Sequence, residues 1–135
     1  MKIVIDANIV VSLLISPGKP LDLFFNEELE LFAPKLLFIE IEQNKEEIIR
    51  KSRCDEEEIE TLLRLIRQRI NVVPEEEFVS LINLAVKNCP DPKDIVYFSL
   101  SLYLKCPLWS NEKKLKEQNE VTVYATHELI KMFKL

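Results

Sequence analysis

Three consecutive apolar residues, Ile3-Val4-Ile5, run straight into an aspartate at position 6, and this run limits the folds open to the chain. Successive side chains of a strand point to opposite faces, so an unbroken β-branched run needs cover on both sides. Such a strand belongs inside a parallel sheet between two layers of helices. Ile9 to Ile15 is equally apolar, and Asn8 is placed to cap it as a helix. Asp6 then falls at the carboxyl end of the first strand, the edge where open α/β sheets bind ligands. A carboxylate there is costly unless a cation or a donor meets it.

The rest of the chain alternates in the same way. Helices are expected over 8–15 and 20–27, and Glu30-Leu31-Phe32-Ala33 reads as a second strand stopped by Pro34. Pro34 suits a first helical turn and is expected to open one long helix reaching Lys51. Asp55 caps an amphipathic helix in which Ile59, Leu62, Leu63, Ile66 and Ile70 fall on one face. Asn71-Val72-Val73 reads as a short strand ended by Pro74. A helix over Glu75 to Asn88 is expected to bury Phe78, Leu81, Ile82 and Ala85. Pro90 to Asp94 forms a turn before Ile95 to Leu104, a stretch apolar nearly all round and therefore central. Pro107 to Ser110 and Val121 to Tyr124 are strands, and a last helix covers about 126–133. Alternating strands and helices without linker or repeat predict one three-layer α/β domain over residues 1–135, with a central parallel sheet.

Composition removes several functions. The single glycine excludes P-loops and G-x-G-x-x-G nucleotide loops, which need several glycines for close backbone approach. A net charge of −5 provides no general footprint for nucleic acid, so any such contact needs local basic residues or a bound cation. Cys54, Cys89 and Cys106 are odd in number and form no C-x-x-C pair, which fits idle thiols in a reducing compartment. Asp6 interrupts the first apolar run too early for a signal peptide, and no stretch reaches the length of a membrane span. A cytoplasmic protein is expected, with no membrane partner. One histidine, His127, leaves a Ser-His-Asp mechanism without support.

Acidic residues stand where elements begin or turn. Asp6 ends the first strand, and Glu40 lies early in the helix after Pro34, with Glu42 nearby. Asp91 and Asp94 precede the apolar helix, Asp94 where it could cap it, and Glu112 follows the Leu108-Trp109-Ser110 strand. In a right-handed parallel arrangement, strand ends and the helix starts that follow gather on one edge of the sheet. Two unit charges 4 Å apart repel by about 1 kcal/mol in water and about 4 kcal/mol at an intermediate dielectric. Four together need protons or metal. Oxygen-only ligands suit Mg²⁺ or Mn²⁺, which promote attack of water on phosphate.

With these residues in view, the chain resembles the PIN domain family, metal-dependent nucleases that include the toxin ribonucleases of bacterial and archaeal toxin–antitoxin pairs. The resemblance rests on four segments in order: Ile3-Val4-Ile5-Asp6-Ala7-Asn8, Leu37-Phe38-Ile39-Glu40-Ile41, Asp91-Pro92-Lys93-Asp94, and Leu108-Trp109-Ser110-Asn111-Glu112-Lys113. It implies a small three-layer α/β/α domain. Asp6, Glu40 and Asp94 match the family's acidic ligands, and Ser110 and Glu112 match its late Thr/Ser and Asp positions. The family usually has aspartate where Glu112 stands, and the extra methylene carries this carboxylate about one bond length further.

The resemblance implies a Mg²⁺- or Mn²⁺-dependent endoribonuclease acting on single-stranded RNA, with Asp6, Glu40, Asp94 and Glu112 as catalytic metal ligands. Asn8, Ser110 and Asp91 would support those ligands from behind. Lys93 and Lys113 flank the site and could meet phosphates. An antitoxin protein and a homodimeric state are the partners implied. The alternative from another class is a catalytically weak PIN-fold interaction or scaffold protein, which the length of Glu112 and the acidic surface favour. An aspartyl-phosphate enzyme using Asp6 as nucleophile is poorly matched, because Asn8 stands where a second aspartate is usual.

Overall fold

In a computed structural model covering residues 1–135, five parallel strands form one sheet in the order β3-β2-β1-β4-β5. They are β1 (Lys2–Ile5), β2 (Glu30–Pro34), β3 (Ile70–Val73), β4 (Leu108–Trp109) and β5 (Val123–Tyr124). In register, Ile3 lies beside Leu31 and Ile5 beside Trp109, which places β1 centrally. Ile3, Val4 and Ile5 are all fully buried, so both faces of β1 are covered, as its unbroken apolar run requires. The helices are α1 (Ala7–Ile15), α2 (Lys19–Phe24), α3 (Leu36–Gln43), α4 (Lys45–Lys51), α5 (Glu56–Arg69), α6 (Ile82–Asn88), α7 (Ile95–Leu104) and α8 (Thr126–Met132). They flank the sheet in the α/β/α order expected. No helix is long and apolar enough to cross a membrane.

Packing follows the apolar faces. Helix α7 crosses β1, β2 and β4 and lies against α6, burying Tyr97, Phe98 and Leu100. Helix α1 packs on α3, α4 and α5, while α2 meets α8. A core of 32 buried residues runs through the molecule. Large-to-small changes there, such as Leu13→Ala, typically cost about 2–5 kcal/mol because the cavity collapses only in part. Arg69, at the end of α5, donates from Nε to the Phe24 carbonyl (3.2 Å) and from Nη2 to those of Asn26 and Leu29 (2.8 Å for Leu29). These bonds tie the α2–β2 connection to the start of β3.

Several local expectations are corrected. Asp6, not Asn8, caps α1: its Oδ1 accepts the Ile9 amide at 3.0 Å, and Asn8 lies inside the first turn, exposed. The helix after Pro34 is broken at Asn44, whose side chain turns back onto the Glu40 carbonyl (2.8 Å) while its amide also bonds back to that turn. Pro34 itself ends β2. The segment after Pro74 forms two 3₁₀ turns, Glu75–Glu77 and Val79–Leu81, before α6 begins. Phe78 and Ala85 are buried there, whereas Leu81 and Ile82 are only half-buried. Ile70 leaves the α5 face to begin β3. Asp94 occupies the cap position of α7 but makes no capping hydrogen bond.

Candidate metal centre

The order β3-β2-β1-β4-β5 reverses direction at β1, so the crevice between the carboxyl ends of β1 and β4 is where this topology favours a ligand. Asp6 follows β1 and Ser110 follows β4. The Asp6 amide donates to the Trp109 carbonyl at 3.4 Å, tying the two strand ends together. Asp94 enters from the 3₁₀ turn Pro92–Asp94 ahead of α7, and Glu40 from the middle of α3.

Asp6, Glu40 and Asp94 border one cavity of about 150 Å³, with Ala7, Asn8, Lys93 and Tyr97 completing its wall. Glu112 lies next door, bordering a cavity of about 190 Å³ with Ser110 and Asn111, and Asn8 borders both. The structure thus brings three of the four expected carboxylates into one pocket and sets the fourth beside it. No three carboxylate, thiol or imidazole groups close into a ready-made cage. Glu42 points elsewhere, pairing with Arg67 at 3.7 Å.

Asp6 is 3% and Asp94 5% exposed. Burial raises the Asp6 pKa, the negative charges of Glu40 and Glu112 add to this, and hydrogen bonds from Ser110 and the Ile9 amide oppose it. Asp94 is pushed up to about 6, first by burial, then by the charges of Asp6, Asp91 and Glu112, with Lys93 opposing. One Asp94 oxygen, Oδ2, is buried without a hydrogen-bond partner. Two buried carboxylates that hold protons more tightly than usual, one with an orphaned oxygen, are an all-oxygen donor set suited to a hard divalent cation.

The surrounding residues have defined contacts. Asp91 accepts the Lys93 amide at 3.2 Å, shaping the turn that delivers Asp94. The Lys93 ammonium lies 3.7 Å from Asp91 and 3.8 Å from Glu112, and its exposure makes each pair worth little. Glu112 accepts the Lys114 amide at 3.4 Å, and its own amide donates to Ser110 Oγ at 3.1 Å. Lys113 is exposed and lies just beyond.

Tyr97 is the participant that sequence reasoning missed. Its hydroxyl donates to Glu40 Oε1 at 3.0 Å, and the residue is buried. Burial and the Glu40 charge push its pKa well above the usual phenol range, so it remains a neutral donor. The available signal was its place three residues after Asp94, on the same helical face. The uniform apolarity of α7 masked that spacing.

A family model described as PIN domain matches residues 4–127. The crystal structure of VapBC2 from Rickettsia felis bound to a DNA fragment from their promoter contains a chain of similar fold. It has a TM-score of 0.65 and 14% sequence identity, and the match covers 93% of this chain and 98% of that one. No curated protein matches the sequence.

Proposed function

The chain belongs to the PIN domain family, and from that membership we propose that it is a Mg²⁺- or Mn²⁺-dependent endoribonuclease that hydrolyses phosphodiester bonds of single-stranded RNA. The observation that supports this most is the pair of buried carboxylates, Asp6 and Asp94, sharing a pocket with Glu40 while Asp94 Oδ2 lacks any partner. Asp6, Glu40 and Asp94 would hold the cation, with Glu112 reaching it from the adjoining cavity. A divalent ion bound there supplies the positive charge that activates water and polarises the scissile phosphate.

The chain's own residues do the positioning. The Ile9 amide fixes Asp6 at the strand end, Tyr97 fixes Glu40, and Asp91 shapes the turn that presents Asp94. Asn8 stands between the two cavities, where it can orient water or substrate. Lys93 and Lys113 offer charge to phosphates. The fold likeness to VapBC2 extends the proposal to a toxin role in the cytoplasm, with a small antitoxin protein covering the pocket and a homodimer as the working state.

A 5′-labelled single-stranded RNA tests the activity. Cleavage is expected with Mn²⁺, and Asp6→Asn or Asp94→Asn reduces it to background. Cleavage that persists in excess EDTA contradicts the proposal. The catalytically weak scaffold reading is favoured by one observation, the commitment of Glu112 to Lys114 and Lys93. Cleavage-silent protein that shows no thermal response to Mn²⁺ would select it.

A further inference from the structure

A cavity of about 770 Å³ opens beside the carboxylates, and most of its wall has no role in the hydrolysis described above. It lies between α1, α8 and the segment after β4. Ile9, Leu13, Ile15, Pro20, Ala125 and Ile130 give it an apolar floor, and Lys113, Lys116 and His127 stand at its border. Ser110, Asn111 and Glu112 border both this cavity and the smaller one beside Asn8. Asn8 in turn borders the pocket of Asp6 and Asp94. The three cavities therefore adjoin in series, through shared walls, from the buried carboxylates to the apolar floor.

The basic side chains on this path are placed against the trend of the chain, whose net charge is −5. Lys116 is held by Glu128. Lys113 and His127 are exposed and belong to none of the salt bridges in the molecule. A strand leaving the carboxylate pocket by this route passes the Asn8 side chain and then meets Lys113, whose ammonium belongs to no salt bridge, with His127 across the cavity. The His127 imidazole is also the one aromatic ring bordering the cavity. Single-stranded nucleic acid presents flat bases with apolar faces joined by anionic phosphates, and proteins meet it with ring or aliphatic faces beside cations.

We propose that this groove seats the nucleoside next to the scissile phosphate, with its base between His127 and the aliphatic floor at Ile15 and Ile130, and its outer phosphate toward Lys113. The proposal rests on the nuclease reading of the carboxylates and adds to it a path for the RNA strand. An apolar floor alone would suit a polypeptide equally. The unpaired Lys113 ammonium, the His127 ring and the walls shared with the carboxylate pocket favour RNA.

Fluorescence anisotropy of a fluorescein-labelled single-stranded RNA hexamer, measured in EDTA, reads the groove without cleavage. Lys113→Ala is expected to weaken binding and to flatten the salt dependence by about 0.7 in log K per log salt, the loss of one phosphate contact. His127→Ala is expected to weaken binding about fivefold or more, with His127→Phe restoring it through the ring face. Lys131→Ala, on α8 but outside the groove, keeps wild-type affinity. Unchanged affinity in both Lys113→Ala and His127→Ala overturns the proposal and leaves the groove to a polypeptide. Mn²⁺-dependent cleavage by the wild type alongside insensitive groove variants rejects the groove alone. Groove-dependent binding without any Mn²⁺-dependent cleavage rejects the nuclease reading alone.

Discussion

Asp94 concentrates the energetic tension of the pocket. Its carboxyl is buried, faces the charges of Asp6, Asp91 and Glu112, and is pushed from 3.8 up to about 6. A raised carboxylate pKa means the folded chain binds this proton more tightly than the unfolded chain. The contribution to stability is full below about pH 4 and is lost as pH rises through 6. Metal-free Asp94→Asn is therefore expected to gain on the wild type in urea unfolding as pH rises from 4 to 7. A stability difference that stays constant across that range contradicts it. Tyr97 makes a second case at this scale. Tyr97→Phe keeps the buried ring and removes the 3.0 Å bond to Glu40. Mn²⁺ affinity is expected to fall about 10–100-fold, read by calorimetric titration, with the melting temperature of the metal-free protein little changed.

At the scale of the element, what the sequence made legible depended on whether the signal was local. The β1 run, the Asp55 cap of α5 and the apolar α7 each carry their own instruction, and each forms where expected. Asp55 Oδ1 accepts the Glu58 amide at 2.9 Å, so Asp55→Ala should cost about 1 kcal/mol in urea unfolding. The helix break at Asn44 was hidden because Asn is permitted inside a helix. Its turn back onto the Glu40 carbonyl is a three-dimensional choice. The two 3₁₀ turns after Pro74 were hidden likewise, since apolar spacing alone does not separate them from an α-helix. Arg69 was invisible for a third reason: its carbonyl partners lie 40 to 45 residues earlier in the chain. Arg69→Ala leaves those carbonyls without their charged donor and is expected to cost about 2–3 kcal/mol, read as a lower urea midpoint with an unchanged m-value.

For the whole molecule, strand order does what no single motif can. Asp6, Glu40 and Asp94 are far apart in sequence, and the parallel sheet with its reversal at β1 brings them to one crevice. Asp6 and Asp94 could be read from the chain because each sits beside a recognisable start or end of an element, whereas Glu40, in the middle of α3, was legible only through the family resemblance. The separation of Glu112 into the adjoining cavity could not be read, since it depends on how the segment after β4 turns. The acidic balance of the chain sharpens the same point: in a protein of net charge −5, a phosphate placed against buried carboxylates would require a bound cation or local basic residues. Calorimetric titration of Mn²⁺ into the wild type and Asp6→Asn at pH 7.5 tests that requirement most directly. A saturable binding isotherm in the wild type that disappears in Asp6→Asn is predicted. Absence of binding in the wild type, or equal binding in both, would contradict the metal centre.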